Sequence, residues 1–229
     1  MNTKHKKPTL TKKQRYKLRV QQVRRQKIFL TCLFLLIVGC ILLRFSKFSG
    51  RQKETHQINA ACEAYRDEVS SEAAQYDMSD YVDLILAVMM QESSGQGTDP
   101  MQSSEGAYNT RYPQQPNGIT DPSYSISCGI QELKYALDKA GCTGPTDLSK
   151  IRLALQAYNF GADSYFAYLE ENGQTVWTAQ SAQAFAQMAS GNTQRDEDDP
   201  LHDPAGPWDY GDQYYPDHVL RYYHLDNNS

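Results

Sequence analysis

The chain has 229 residues, 40% of them hydrophobic, and a formal charge of −4 that averages two unlike regions. Residues 1–27 carry eleven Lys and Arg and no acid, whereas residues 51–229 hold ten Lys and Arg against all 27 Asp and Glu, a balance of −17. The basic tail raises nucleic acid as a partner, but its place beside an apolar run makes orientation and anionic-lipid contact the simpler role, so no nucleic-acid partner is expected.

That apolar run is Ile28–Leu43, sixteen residues without a charge. At ~1.5 Å per residue it falls slightly short of a ~30 Å hydrocarbon core. Phe45 and the aliphatic stems of Lys27, Arg44 and Lys47 supply the rest. Two other readings stay open. A cleaved secretory signal would have an unusually long basic region here and lacks a small-residue cleavage site. A lipobox at Ile37-Val38-Gly39-Cys40 should end on its cysteine, yet Ile41-Leu42-Leu43 continue the run. The preferred division is a cytoplasmic tail over 1–27, a transmembrane signal-anchor over 28–45, a tether over 46–56 and a domain over 57–229. Basic residues before the span place that domain outside a cell membrane crossed once.

Within the domain, small or apolar residues at Ile58, Ala61, Cys62, Tyr65, Val69 and Ala73 recur at steps of three and four, predicting one helix over about 57–76. Asp77-Met78-Ser79 breaks it, and Ser79 is placed to cap a second helix. Tyr81–Met90 is apolar nearly all round, the pattern of a buried helix. Residues 93–129 are rich in Ser, Gly, Pro, Asn and Gln and predict a long irregular loop, kept ordered by Tyr108, Tyr112 and Tyr124. Further helices are predicted over Ile130–Ala140, Asp147–Phe160, Ala162–Glu171, Thr178–Ser190 and about Pro216–Tyr223, most of them followed by a glycine stop. Strand alternation is essentially lacking, so the fold class is mainly α with one core.

Cys62, Cys128 and Cys142 lie outside the span, and Cys128–Cys142 would close the shorter loop if one bridge formed. No Cys/His spacing resembles a zinc site, and Asp196–Asp199 lacks a spaced ligand pattern, so neither metal nor cofactor is expected.

The chemistry concentrates where the buried helix ends, at Gln91-Glu92-Ser93-Ser94-Gly95-Gln96-Gly97-Thr98-Asp99. Apolar surroundings and the negative end of the helix dipole both favour the protonated form of Glu92, as a general acid requires. Asp99 lies in a polar loop where ionisation is easy, and Gly95 and Gly97 allow the chain to fold back. Two acids in contrasting environments suit cleavage of a glycosidic bond. A solvated last-turn Glu and an Asp-Pro turn are the bland alternative.

Glu92-Ser93-Ser94 after an apolar helix resembles the catalytic Glu-Ser of the goose-type lysozyme and lytic transglycosylase superfamily. In the family's order, Ser127-Cys128-Gly129-Ile130-Gln131 is similar to its Ser…Gly-Leu-Met-Gln segment, Ala157-Tyr158-Asn159-Phe160-Gly161 to its Ala-Tyr-Asn-x-Gly, and His218–Tyr223 to its closing helix. A narrower similarity is to CwlT-type muramidases of Gram-positive cell-wall enzymes and conjugative elements, through Glu92-Ser93-Ser94-Gly95 and Asp99-Pro100-Met101-Gln102.

This resemblance implies a lysozyme-like helical domain with a long active-site loop. It implies Glu92 as general acid and Asp99 as second carboxylate, with Gln102, Gln131, Tyr158 and Asn159 binding substrate. The implied partners are peptidoglycan glycan strands, the membrane through residues 28–45, and a conjugation or cell-envelope complex. Plain structural roles remain open for Gln131 as a helix-start hydrogen bonder, and for Tyr158 and Asn159 as packed residues. Two alternatives to a hydrolase also stand: a lytic transglycosylase using Glu92 alone, and a non-catalytic glycan-binding scaffold. Two departures from the superfamily pattern are Ser-Ser-Gly-Gln-Gly after the glutamate and Cys128 where a small residue is usual.

Overall fold

A computed structural model describes residues 57–225; the expected tail, span and tether lie outside the described residues. Among the described residues no helix is long and apolar enough to cross a membrane. Among the described residues the domain is built of helices, with one isolated antiparallel bridge between Gln194 and Trp208.

The first predicted helix is two. Helix α1 (Ala60–Glu63) is capped by Asn59, whose side chain accepts from the Cys62 amide, and α2 (Arg66–Gln75) follows after a break at Ala64-Tyr65. Both keep the expected stripe, with Cys62, Val69 and Ala73 fully buried. Ser79 begins a short 3-10 turn, Ser79–Tyr81, rather than capping a helix. Helix α3 (Val82–Glu92) then buries Leu84 through Met89 without interruption, as its all-round apolar sequence requires. Each such large side chain removed from water contributes about 1.5–3 kcal/mol before chain entropy is counted.

Helix α4 (Pro122–Ala140) starts eight residues before the predicted Ile130. Its signals are local: Asp121 accepts from the Ser123 and Tyr124 amides, and Pro122 occupies the first turn, where no amide is needed. Polar Ser-x-Ser-x-Ser spacing conceals the buried side formed by Ser125, Ile126, Cys128 and Gly129. Gly141, left-handed at φ 70°, ends it as expected.

Helices α5 (Leu148–Phe160), α6 (Ala162–Glu171) and α7 (Ala179–Ala189) match their predicted spans, capped by Asp147, Gly161 and Thr178. A single turn, α8 (His202–Ala205), follows the acidic stretch Asp196–Asp199, and α9 (Tyr215–Leu220) is the last helix among the described residues. Helix α5 packs against α4, α6 and α9, while α3 contacts α2 and α9. The C-terminal ends of α3 and α9 lie together, where Arg221 after α9 donates to the Gln91 side chain at 3.0 Å. The thiols of Cys62, Cys128 and Cys142 are all free, so the Cys128–Cys142 pairing left open by the sequence is not formed.

Candidate active site

Helix α3 stops because the chain after it turns left-handed, at Ser94 (φ 55°) and Gly95 (φ 72°). Gly95 is needed twice over. A Cβ there would also lie 2.8 Å from the Cys62 amide nitrogen of α1. The Ser93 hydroxyl donates to the Pro100 carbonyl at 2.7 Å and folds the loop back beneath the helix end.

Glu92, on the last turn, opens into a cleft of about 670 Å³ lined also by Gln102, Glu105, Tyr108, Glu132, Tyr158 and Asn159. The side chain is half-buried, and burial pushes its carboxyl up to about 7. The Tyr215 hydroxyl donates to Oε1 and opposes that rise; the charges of Asp212, Asp99 and Glu132 add to it. Tyr215 is itself buried and stacks on Tyr158 with ring centroids 6.3 Å apart, and the Tyr158 hydroxyl donates to the Met101 carbonyl at 3.0 Å. A tyrosine pair from α9 and α5 thus joins the acid to the loop that carries Gln102.

Asp99 occupies a different place. It is 2% exposed and does not line the cleft. Oδ1 accepts from the Ser103 amide at 3.0 Å and the Ser125 hydroxyl at 2.6 Å, and Oδ2 accepts from the Ser104 amide and hydroxyl. Four donors occupy the roughly four lone-pair sites of a carboxylate. The Asp99 expected to face the glycan is instead the hub of the loop, because the serines that follow it and the one on α4 turn their donors inward.

Of the residues expected to bind substrate, Gln102, Tyr158 and Asn159 reach the cleft. Gln102 is exposed there, with its side-chain amide donating to the Asp99 carbonyl at 3.0 Å. Asn159 accepts the Asp212 amide at 2.8 Å, fixing the segment before α9. Gln131 does not reach the cleft. It faces a neighbouring groove with Tyr76, Tyr124 and Ser127, separated by Ala107 and Tyr108, which border both. Its amide donates to the Ser127 carbonyl one turn earlier at 3.1 Å, so it bonds within the middle of α4 rather than at a helix start.

Among the described residues no Lys or Arg lines the cleft, whereas Glu92, Glu105, Glu132 and Asp163 do. Such a site suits a reaction in which positive charge develops on the substrate.

The model of the lysozyme-like family matches residues 60–223, nearly the whole described domain. The chain belongs to the lysozyme-like family. It is 36% identical over 169 residues to the bifunctional muramidase/DL-endopeptidase CwlT of Bacillus subtilis, covering 74% of this chain and 44% of that one. The membrane protein YocA of the same organism is 40% identical over 111 residues, covering 48% of this chain and 45% of YocA. Pneumococcal vaccine antigen A of Streptococcus pneumoniae is 31% identical over 137 residues, covering 58% and 61%. The chain spans about half the length of the curated relatives it matches. A Staphylococcus aureus crystal structure, of a protein described as similar to an NLP/P60-family lipoprotein, superposes with a TM-score of 0.61 at 28% identity, covering 76% of this chain and 56% of that one.

Three residues of this lysozyme-like site escaped the sequence reading. Tyr215 lies 123 positions from the acid it contacts. Asp212, the first of the charges raising Glu92, pairs with His218 at 2.6 Å and stands in a segment for which the sequence predicts no element. Glu132 sits beside Gln131 on α4, and helical spacing turns the two in different directions, only Glu132 into the cleft. An apolar residue at position 133 and a glutamate before it carry no local signal of this.

Proposed function

We propose that this lysozyme-like domain is a peptidoglycan muramidase that hydrolyses the β-1,4 bond between N-acetylmuramic acid and N-acetylglucosamine. The observation that carries the reading is a carboxyl pushed up to about 7 by burial and opening into a cleft lined by further acids. Glu92 donates its proton to the glycosidic oxygen as the sugar gains oxocarbenium character, and the surrounding carboxylates stabilise that charge. Tyr215 orients the acid, and Gln102, Tyr158 and Asn159 offer hydrogen bonds and an aromatic face to the sugar. Asp99 acts through the loop it organises, fixing Met101 and Gln102 beside Glu92. The name of CwlT, and the segments from Glu92 to Gln102, support the substrate class.

The anchor read over residues 28–45 belongs to the same proposal. A single-pass enzyme with its domain on the wall side cuts only within reach of its tether, which suits local opening of the wall for a conjugation or cell-envelope complex.

The test is product analysis on purified cell-wall glycan. New reducing ends, lost in Glu92→Gln, are expected. A Glu92→Gln variant as active as wild type overturns the assignment, and 1,6-anhydro-muramyl ends would mark a lytic transglycosylase instead.

A further inference from the structure

Resting on the muramidase reading, the geometry points to Glu132 as the second catalytic carboxylate of this cleft, the base that takes a proton from the attacking water. Five acids lie in or next to the cleft besides Glu92, and four are occupied or displaced. Asp99 is buried off the cleft with four donors on it. Asp163 is held by Lys139 at 2.8 Å and Tyr135 at 2.5 Å. Asp212 is paired with His218 and the Tyr214 amide and does not line the cleft. Glu105 lines it but is exposed to solvent.

Glu132 differs from all four. It rises from α4 into the same cleft as Glu92, and its carboxyl lies over Gly106, where a Cβ would fall 1.6 Å from Oε1. The nearby Ala107 and Tyr108 amides favour its charged form, and no salt bridge among the described residues engages it. A carboxylate offers roughly four acceptor sites, so Glu132 has room to accept from a water in the cleft. Burial, reinforced by the charge of Asp99, pushes its carboxyl up to about 7 against those amides, so it is a stronger base than an exposed glutamate.

The step balances with the groups present. Glu132 accepts a proton from water while the water oxygen bonds to the anomeric carbon. The glycosidic C–O bond breaks, its electron pair stays on the oxygen, and that oxygen takes the proton of Glu92. One water is consumed, Glu132 ends neutral and Glu92 anionic, and solvent exchange resets both.

Full-length wild-type chain, Glu132→Gln, Glu132→Asp and Glu132→Ala are compared on cell-wall glycan across pH. Glu132→Gln should lower kcat by about 100-fold with little change in KM, and should lose the acidic limb of the kcat/KM profile. Glu132→Asp should keep that limb at reduced kcat, and Glu132→Ala should yield a glycosyl azide when azide is added. A kcat within threefold of wild type, an acidic limb that survives in Glu132→Gln, or a rise confined to KM would overturn the assignment and leave Glu132 a loop-holding residue. Wild-type products without reducing ends would remove the muramidase reading and this assignment with it. Reducing ends with an unaffected Glu132→Gln would remove this assignment alone.

Discussion

The carboxyl of Glu92 accepts the Tyr215 hydroxyl while Asp212, Asp99 and Glu132 stand near enough to oppose its ionisation. Its value of about 7, against 4.5 for a free glutamate, has a consequence for stability as well as catalysis. Between those two values the folded chain binds a proton that the unfolded chain has released, so folding stability falls as pH rises through that window. Glu92→Gln removes the penalty: its stability relative to wild type should rise between pH 4.5 and pH 8 by an amount on the order of 2–3 kcal/mol, seen as a Tm above that of wild type at pH 8. Differential scanning fluorimetry across pH reads this directly, and equal Tm values at pH 8 would refute it. Because the protonated form is the acid, activity should decline on the alkaline side of about 7. The Tyr215 hydroxyl draws that pKa down. Tyr215→Phe should therefore move the alkaline limb to higher pH while lowering kcat, and a limb moving down would contradict the hydrogen bond's direction.

At the scale of elements, the loop from Ser93 to Asp121 is ordered from within by side chains. Asp99 gathers Ser103, Ser104 and Ser125, and Ser104 in turn receives the Ile119 amide at 2.8 Å. Asp99→Asn turns a pure acceptor into a group with two donors facing donors. Leaving such buried groups mismatched costs about 1–3 kcal/mol, so Tm and activity should fall together in this variant. A loss of kcat with unchanged Tm would return Asp99 to a direct chemical role. The loop also needs α4 to come close: a Cβ on Gly129 would sit 2.6 Å from Cβ of Met101. Gly129→Ala should force Met101 and its neighbour Gln102 outward, destabilising the fold by about 1–3 kcal/mol and raising KM. Much of this level was legible. Gly141 and Gly161 end helices where glycine was read as a stop, and the apolar run of α3 is buried as read. The start of α4 was missed because Ser125, fully buried, is satisfied by donating to Asp99 and accepting from the Met101 amide, so a polar sequence forms part of a core.

For the molecule as a whole, a balance of −17 over residues 51–229 and a cleft without a cation place recognition in shape and hydrogen bonding rather than in attraction to an anionic wall. Raising salt from ~10 to ~200 mM shortens the screening length from about 30 Å to under 10 Å. Turnover on intact anionic walls should then hold or rise; a steep fall would show that attraction between the wall and cations outside the cleft drives binding. The core itself is one cluster spanning α1 to α9, with the rings of Phe160, Tyr165 and Phe185 packed at centroid distances of 5.1–5.4 Å.

The sequence by itself determined the helical class, the buried helix and the glutamate at its end, because periodicity, caps and a carboxylate after an apolar run are local properties of the chain. Tertiary structure alone decided which acids share the cleft. Asp99, seven positions from Glu92, is drawn away by serines whose inward direction depends on α4, while Glu132 and Tyr215, 40 and 123 positions off, are brought in by helix packing. Proximity along a chain says little about proximity in a cleft. The free energy of burying hydrogen-bond donors, which no spacing records, settles the matter.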